Sequence, residues 1–283
     1  MQRQKIDMQQ LIVLDEANEL INAILVTFLG YVGSFVTVRY VASACLVKGF
    51  KYEYSYAKKT IAKATLVYFC ILLSVRYAET QHEAVYEMLW GCNVSMFHAS
   101  VGVLIGDRLL VESAVTTVLI DQLCWYVDAF GYLLAGSFPV GVATYMTRSE
   151  VPFAKKVTAF HHLWFLPLYL WCLWDRRRCV SARSWFATVI LTSYLIVFCR
   201  IFVPFAVQGA NDRGEIVLNV NLAYEFWDDI DIDFLHIFDR QNPAVYLPFA
   251  VFVCNVILNG PPFLLLCRLI GWLSPSSPIK KNR

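Results

Sequence analysis

Charge is the scarcest property of this chain. Only 16% of its 283 residues are Asp, Glu, Lys or Arg, against roughly 25% in a soluble domain. Sign bias is missing too: 24 Lys and Arg stand against 22 Asp and Glu, a formal net charge of +2, which is not the basic footprint of a nucleic-acid-binding protein. Among nine cysteines there is no C-x-x-C pair, and no His sits at ligand spacing from a Cys pair. That argues against a disulfide scaffold and a structural zinc site; no metal and no other cofactor is expected. Internal repeats and low-complexity linkers are absent. Nor does the start read as a cleaved signal peptide, because Gln9 to Glu19 mixes Gln, Asp and Glu where a continuous apolar core belongs. The first helix is expected to stay.

What the chain has in excess is apolar side chain, 58% of residues with a mean hydropathy of +0.52. The expected class is therefore all-α, a polytopic membrane bundle. A helix needs about 20 mostly apolar residues to cross roughly 30 Å of hydrocarbon, where each unpaired backbone group costs several kcal/mol. Charge-free windows run from Leu20 to Val38 and on past Arg39 to Val47, then Met88 to Gly106, Ala129 to Thr147, Val157 to Trp174, Ser184 to Cys199 and Gln241 to Cys267. Thr60 to Val75 is a weaker window, interrupted by Lys63, and crosses only if that lysine snorkels. About seven spans are expected.

Lys and Arg collect on the cytosolic side of span ends. Lys48, Lys51, Lys58 and Lys59 mark one such loop, Arg176, Arg177, Arg178 and Arg183 another, and Lys280, Lys281 and Arg283 the tail. The opposite side is acidic, with Glu79, Glu83 and Glu87 in one loop and eight carboxylates between Gln208 and Asn242. Seven spans make the two sides alternate. This gives a lumenal segment 1–19, a bundle 20–273 with a lumenal acidic loop 208–242, and a cytosolic tail 274–283. Arg148, Lys155 and Lys156 alone fall on the lumenal side against the rule.

Ionisable groups inside a span are expensive, so each is a site candidate. His161 and His162 are adjacent in an apolar stretch; neighbours on a helix point about 100° apart, so both rings do not readily bind one small atom. One ring suits a general base near neutral pH while the other bonds a neighbouring helix. The alternative is that both lie at the interface, satisfied by backbone or headgroups. Asn93, Ser95 and His98 form a second cluster, either a lipid-facing pocket or interhelical hydrogen-bond glue. Asn93-Val94-Ser95 also fits the glycosylation sequon but lies within a span, where it stays unmodified. Asp121 and Asp128, at i,i+7, are expected to pair with Arg200. The run Asp228 to Asp233 lacks the glycine and spacing of a calcium loop and reads as a solvated segment.

At these residues the chain resembles the TLC domain family, the multi-pass proteins that include ceramide synthases, translocating-chain-associated membrane proteins and regulators of membrane lipid composition. Trp90 to Ala99 looks like the family's W-N-x-x-x-S-x-x-H-A segment, with Ser95 two residues after Asn93. Ala129 to Leu133 is similar to its S-x-G-Y stretch, His161-His162 to its His-His pair, and Asn259-Gly260-Pro261 to the G-P turn of its last span. The likeness runs in order over about 170 residues. It departs at Ala135-Gly136-Ser137, where most members carry an Asp, and no aspartate pair follows His162 within a span as in ceramide synthases.

The resemblance implies a multi-pass protein of the endoplasmic reticulum that shapes sphingolipid or phospholipid composition by binding or handling lipid. His161 and His162 are the candidate catalytic residues, and Asn93, Ser95, His98, Asp128 and Arg200 the candidate lipid or substrate pocket. A second implication is a ceramide-synthase-like N-acyltransferase taking acyl-CoA from the cytosol, and a third a non-catalytic chaperone or receptor for other membrane proteins. Lys280 and Lys281, at the third and fourth positions from the end, are similar to a dilysine signal read by coat proteins.

Overall fold

Many large apolar side chains point outward in this molecule. Helix α1 (Gln2–Val36) exposes Ile21, Leu25, Phe28 and Val32 along one side, while the small residues Ala23 and Ser34 are fully buried on the other. Small residues let helix backbones approach, and bulky ones suit a lipid-facing surface. The computed structural model describes residues 2–42, 44, 52–174, 182–209, 213–227, 229–230 and 232–273. Lys48, Lys51, Arg176, Arg177, Arg178, Asp212, Asp228, Asp231, Lys280, Lys281 and Arg283 lie outside them, and with them the tail.

After α1 and a π-helical turn (Thr37–Ala42) come α2 (Tyr56–Thr80), α3 (His82–Glu87), α4 (Gly91–Ile105), α5 (Arg108–Thr117), α6 (Leu119–Ala135), α7 (Phe153–Ala159), α8 (His161–Leu173) and α9 (Ala182–Phe202). A small antiparallel hairpin of β1 (Ala206–Gln208) and β2 (Glu215–Val217) pairs Val207 with Ile216. The chain ends on α10 (Asp233–His236), α11 (Pro243–Phe252), a second π-helical stretch (Val253–Leu258) and α12 (Gly260–Leu273). The all-α expectation is met apart from that hairpin.

Four helices among the described residues are long and apolar enough to cross a membrane: Ala17–Val41, Tyr56–Thr80, Ala182–Phe202 and Pro243–Arg268. The pair α5 and α6, bent by 45°, makes a fifth when taken as one span. Helices α4 and α8, of 15 and 13 residues, fall short of the usual length. The weak window at Thr60 to Val75 sits inside one of the longest of these helices. Ala129 to Thr147, by contrast, is not a span. Helix α6 stops at Ala135 because Gly136 takes φ +68°, a left-handed cap natural to glycine, and the chain then folds back as a loop.

Ion pairs and capping bonds fasten both ends of the molecule. At one, Arg39 pairs with Asp107, Tyr52 N donates to Gly106 O at 2.8 Å, and Lys58 Nζ donates to Cys172 O at 2.8 Å and Trp174 O at 3.2 Å. That lysine satisfies carbonyls at the C-terminal end of α8, where the helix dipole favours a cation. At the other end Glu79 accepts from Ala154 N at 2.7 Å, Arg213 reaches Glu83 at 2.6 Å, and Arg148 pairs with Asp229. The cations that break the loop-charge rule are consumed here: Arg148 by Asp229, Lys155 by Glu87, while Lys156 Nζ donates to Arg148 O.

In the segment 208–242 the described carboxylates Asp229 and Asp233 are exposed, in line with the solvated run expected there, but the segment also has a packed apolar side. Phe226, Leu222 and Leu235 are buried with Tyr246 and Ala250 of α11. Asn221 clamps it to the bundle, donating to Leu89 O and accepting from Gly91 N, both at 2.7 Å. The result is a folded cap over this end of the bundle.

Candidate functional site

A cavity of about 400 Å³ lies under this cap, within the size range of small-molecule sites. Its wall takes Cys92 and Asn93 from α4, Asp121 and Trp125 from α6, His161 and His162 from α8, and Thr192 and Leu195 from α9. The π-helical stretch before α12 adds Cys254 and Leu258, with Asn259 following it. A π-helical insertion rotates later side chains relative to a regular helix and is frequent at functional sites.

His161 and His162 are the first two residues of α8, which follows α7 after a break at Phe160. His161 Nδ1 reaches back across that break to donate to Thr158 O at 2.7 Å. His162 stacks on Trp125 with ring centroids 5.7 Å apart, and its Nδ1 lies 2.6 Å from Gln122 Nε2 and 3.5 Å from Asp121 Oδ2. The two imidazoles end with centroids 4.2 Å apart and planes inclined by 32°. Adjacent position in sequence thus does not hold them apart, contrary to the expectation from helical spacing. Both are buried, so interfacial exposure is not what satisfies them.

A charged network backs the pair. Arg76 Nε donates to Thr158 Oγ1 at 2.6 Å, its Nη1 lies 3.4 Å from Glu87, and Lys155 also pairs with Glu87. Helix α3 is buried along its whole length, carrying two carboxylates inward with it. Burial pushes the Glu87 carboxyl up, but Lys155 and Arg76 outweigh it and hold the group below the usual carboxylate range. Glu83 goes the other way: burial and the neighbouring Glu87 raise it against the pull of Arg213. A buried charge keeps its ionised form only with such partners.

Of the other candidates, Asn93 lines the cavity, its Nδ2 donating to Glu87 O at 2.9 Å while Oδ1 has no partner among the described residues. Ser95 is fully buried with Oγ unpartnered among them and is not part of the wall. His98 is elsewhere: Nε2 donates to Ser34 Oγ at 3.0 Å, tying α4 to α1, which is the interhelical alternative. The expected pairing of Asp121 and Asp128 with Arg200 does not form. Asp128 accepts from Val140 N at 2.7 Å, Gly141 N at 3.0 Å and Ala143 N at 2.9 Å, so backbone amides replace the cation. Arg200 donates to Ala223 O and Gln241 O at 3.2 and 3.1 Å and lies 4.2 Å from the Tyr224 ring centroid. It fastens the cap rather than lining the cavity.

Sequence reasoning missed Cys92, Gln122, Arg76 and Thr158 as parts of one site. Cys92 stood in the Trp90 to Ala99 motif, and Arg76 closes the window that Lys63 interrupts; both were visible signals. Comparison with known proteins finds no matching family model, no curated protein and no solved structure similar to this chain.

Proposed function

We propose that this chain is a membrane protein of TLC type that crosses the bilayer seven times, resides in the endoplasmic reticulum and shapes membrane lipid composition by handling a lipid inside the bundle. The observation that carries the reading is the buried His161–His162 pair in the wall of a cavity of about 400 Å³ within the helical bundle. Such groups in a span are retained at a cost and mark functional sites by default. The count of seven rests on treating α4 and α8 as short crossings beside the four long helices and the bent pair. Ionic and polar groups on one part of the wall, with Arg148 beside Asp229 and with Asp121 and Asn93, suit a polar headgroup, and the wall of Leu195, Ile196 and Leu258 suits its acyl chain.

The second reading, acyl transfer to an amine, is favoured by one observation: His161 Nε2 is buried and has no partner among the described residues. In that reaction the amine nitrogen attacks the thioester carbonyl, the ring takes the amine proton, and the coenzyme thiolate leaves. Lipid analysis of cells carrying the doubly substituted His161→Ala, His162→Ala chain tests both. An altered lipid profile with the folded variant at native abundance supports lipid handling. Release of coenzyme thiol by the purified native chain, lost in the variant, is required for acyl transfer.

A further inference from the structure

The thiol of Cys92 and one ring nitrogen of each of His161 and His162 all lie within 4.8 Å of one another. We propose that these three side chains bind a divalent transition ion of the zinc class, with the fourth coordination position facing the cavity. The inference goes beyond lipid handling and does not depend on it.

The donor set is one thiolate and two imidazoles, which suits zinc among the common divalent ions and disfavours magnesium or calcium, since those take oxygen ligands. With zinc–nitrogen distances of about 2.0 Å and zinc–sulfur of about 2.3 Å, a tetrahedral ion holds its donors roughly 3.3 to 3.6 Å apart. The three groups therefore close by about an ångström, a change within reach of side-chain rotation.

The hydrogen bonds around the rings fit ligation. Because a carbonyl only accepts, His161 must carry its proton on Nδ1 to bond Thr158 O at 2.7 Å, which leaves Nε2 as a bare lone pair. That nitrogen belongs to a side chain 1% exposed and has no partner among the described residues. A ring held by one nitrogen on a backbone carbonyl, with the other free, is the usual second-shell arrangement of metal-binding histidine. For His162 the supports are Gln122 and Asp121. Gln122 Oε1 is also unpartnered among the described residues; half a turn of the carboxamide sets it against His162 Nδ1, now 2.6 Å from Gln122 Nε2. Nδ1–H then donates to Oε1, and Nε2 is released for the ion.

Charge balances as well. Cys92 as thiolate and Asp121 as carboxylate carry two negative charges, which one divalent cation cancels in a buried site where uncompensated charge is costly. With Arg76 and Lys155 both committed to Glu87, neither competes for the thiolate. Three protein ligands with an open fourth position are the pattern of a site that takes an exogenous oxygen, here a headgroup oxygen or water. A bound ion also occupies the lone pair that a free histidine base needs, so occupancy favours lipid handling over the acyl-transfer reading.

The test uses the full chain purified in detergent without chelator. Metal analysis is expected to give about one zinc per chain. After chelation, titration with Co²⁺ is expected to give visible bands of tetrahedral intensity and a near-ultraviolet thiolate-to-cobalt absorption, saturating at one ion per chain. Cys92→Ser removes the thiolate absorption and weakens binding more than tenfold, Gln122→Ala weakens it about 10–100-fold, and Cys124→Ser, outside the cavity wall, changes neither. No zinc together with no cobalt absorption in the folded native chain overturns the site, as does an absorption unchanged in Cys92→Ser, which means an adventitious ion only. Should Cys92→Ser misfold, the native spectrum and its stoichiometry decide alone. Lipid analysis is a separate readout, so a metal-free protein that still alters lipid composition sinks this inference and spares the proposed function.

Discussion

His161 is turned inward by Thr158: its Nδ1 donates to the threonine carbonyl at 2.7 Å, and the opposite ring nitrogen points into the bundle with no partner among the described residues. The same threonine accepts from Arg76 through its hydroxyl at 2.6 Å, so the ring's orientation and the buried charges share one support. A polar network of this kind is stable only when every member is satisfied, and its open positions are where a ligand enters.

Glu87 sets the pH response of that network. Its carboxyl is held below the usual range by Lys155 and Arg76 against the opposing effect of burial. A group whose folded pKa is depressed contributes stability above its unfolded pKa of about 4.3 and loses it as pH falls through the folded value. Glu87→Gln leaves two cations facing no charge, a loss of about 3–5 kcal/mol at neutral pH. Thermal unfolding in detergent should show that gap at pH 7 and a shrinking gap as the pH drops below about 4. A constant gap across the range contradicts the assignment. Glu83, raised by burial and by Glu87 itself, works in the opposite sense, and Glu87→Gln removes the second of these causes.

Asp128 fixes the loop that follows α6. Asp128→Ala removes acceptors from three backbone amides, and bonds to a charged group are worth roughly 1.5–3 kcal/mol each before non-additivity. A loss of about 3 kcal/mol and new protease cleavage between residues 137 and 147 are expected. Gly141→Ala, at φ +104°, should open the same loop at a cost of about 1–3 kcal/mol.

Arg200 should behave as a fastener. Arg200→Lys keeps the charge but loses the planar fork that bridges Ala223 O and Gln241 O. Faster proteolysis within 220–242 is expected with helix content unchanged. If the cap stays protected, some other contact carries it.

His98 and the His161–His162 pair should separate cleanly. His98→Ala breaks the bond to Ser34 and costs about 1–3 kcal/mol, yet it lies outside the cavity wall. Lipid profiles normalised to protein abundance should match the native chain for His98→Ala and depart from it for the double His161→Ala, His162→Ala variant.

How far the sequence foretold this follows from what each signal measures. Hydropathy located the four helices long and apolar enough to cross a membrane, because lipid enforces long apolar runs, but it misplaced a span at Ala129 to Thr147: the window holds no charge, and only the Gly136 cap and the Asp128 bonds reveal a loop. Lys63 lowered the estimate for α2, although one exposed lysine does not break a helix. The His pair was legible because histidine is rare in spans. Its convergence was not, since a 100° spacing fixes only where each side chain leaves the helix, whereas the bonds to Thr158 and Gln122 set how the two rings turn. Arg200 was misjudged as a partner for Asp128 because charge pairing ignores the backbone amides and carbonyls that satisfied each of them separately. Cys92 carried no spacing signal, because its partners come from a helix 69 residues further along.

The central claim is that the cavity holds a lipid, and the most direct measurement is extraction and mass spectrometry of lipid that stays with the detergent-purified full chain. A cavity-filling variant, Thr192→Phe, serves as the control, since Thr192 lines the wall with its hydroxyl unpartnered among the described residues. The account predicts one lipid class enriched over the surrounding membrane extract in the native chain and reduced to background in the folded variant. A native chain carrying only the membrane's average lipids, unchanged by Thr192→Phe, would contradict it.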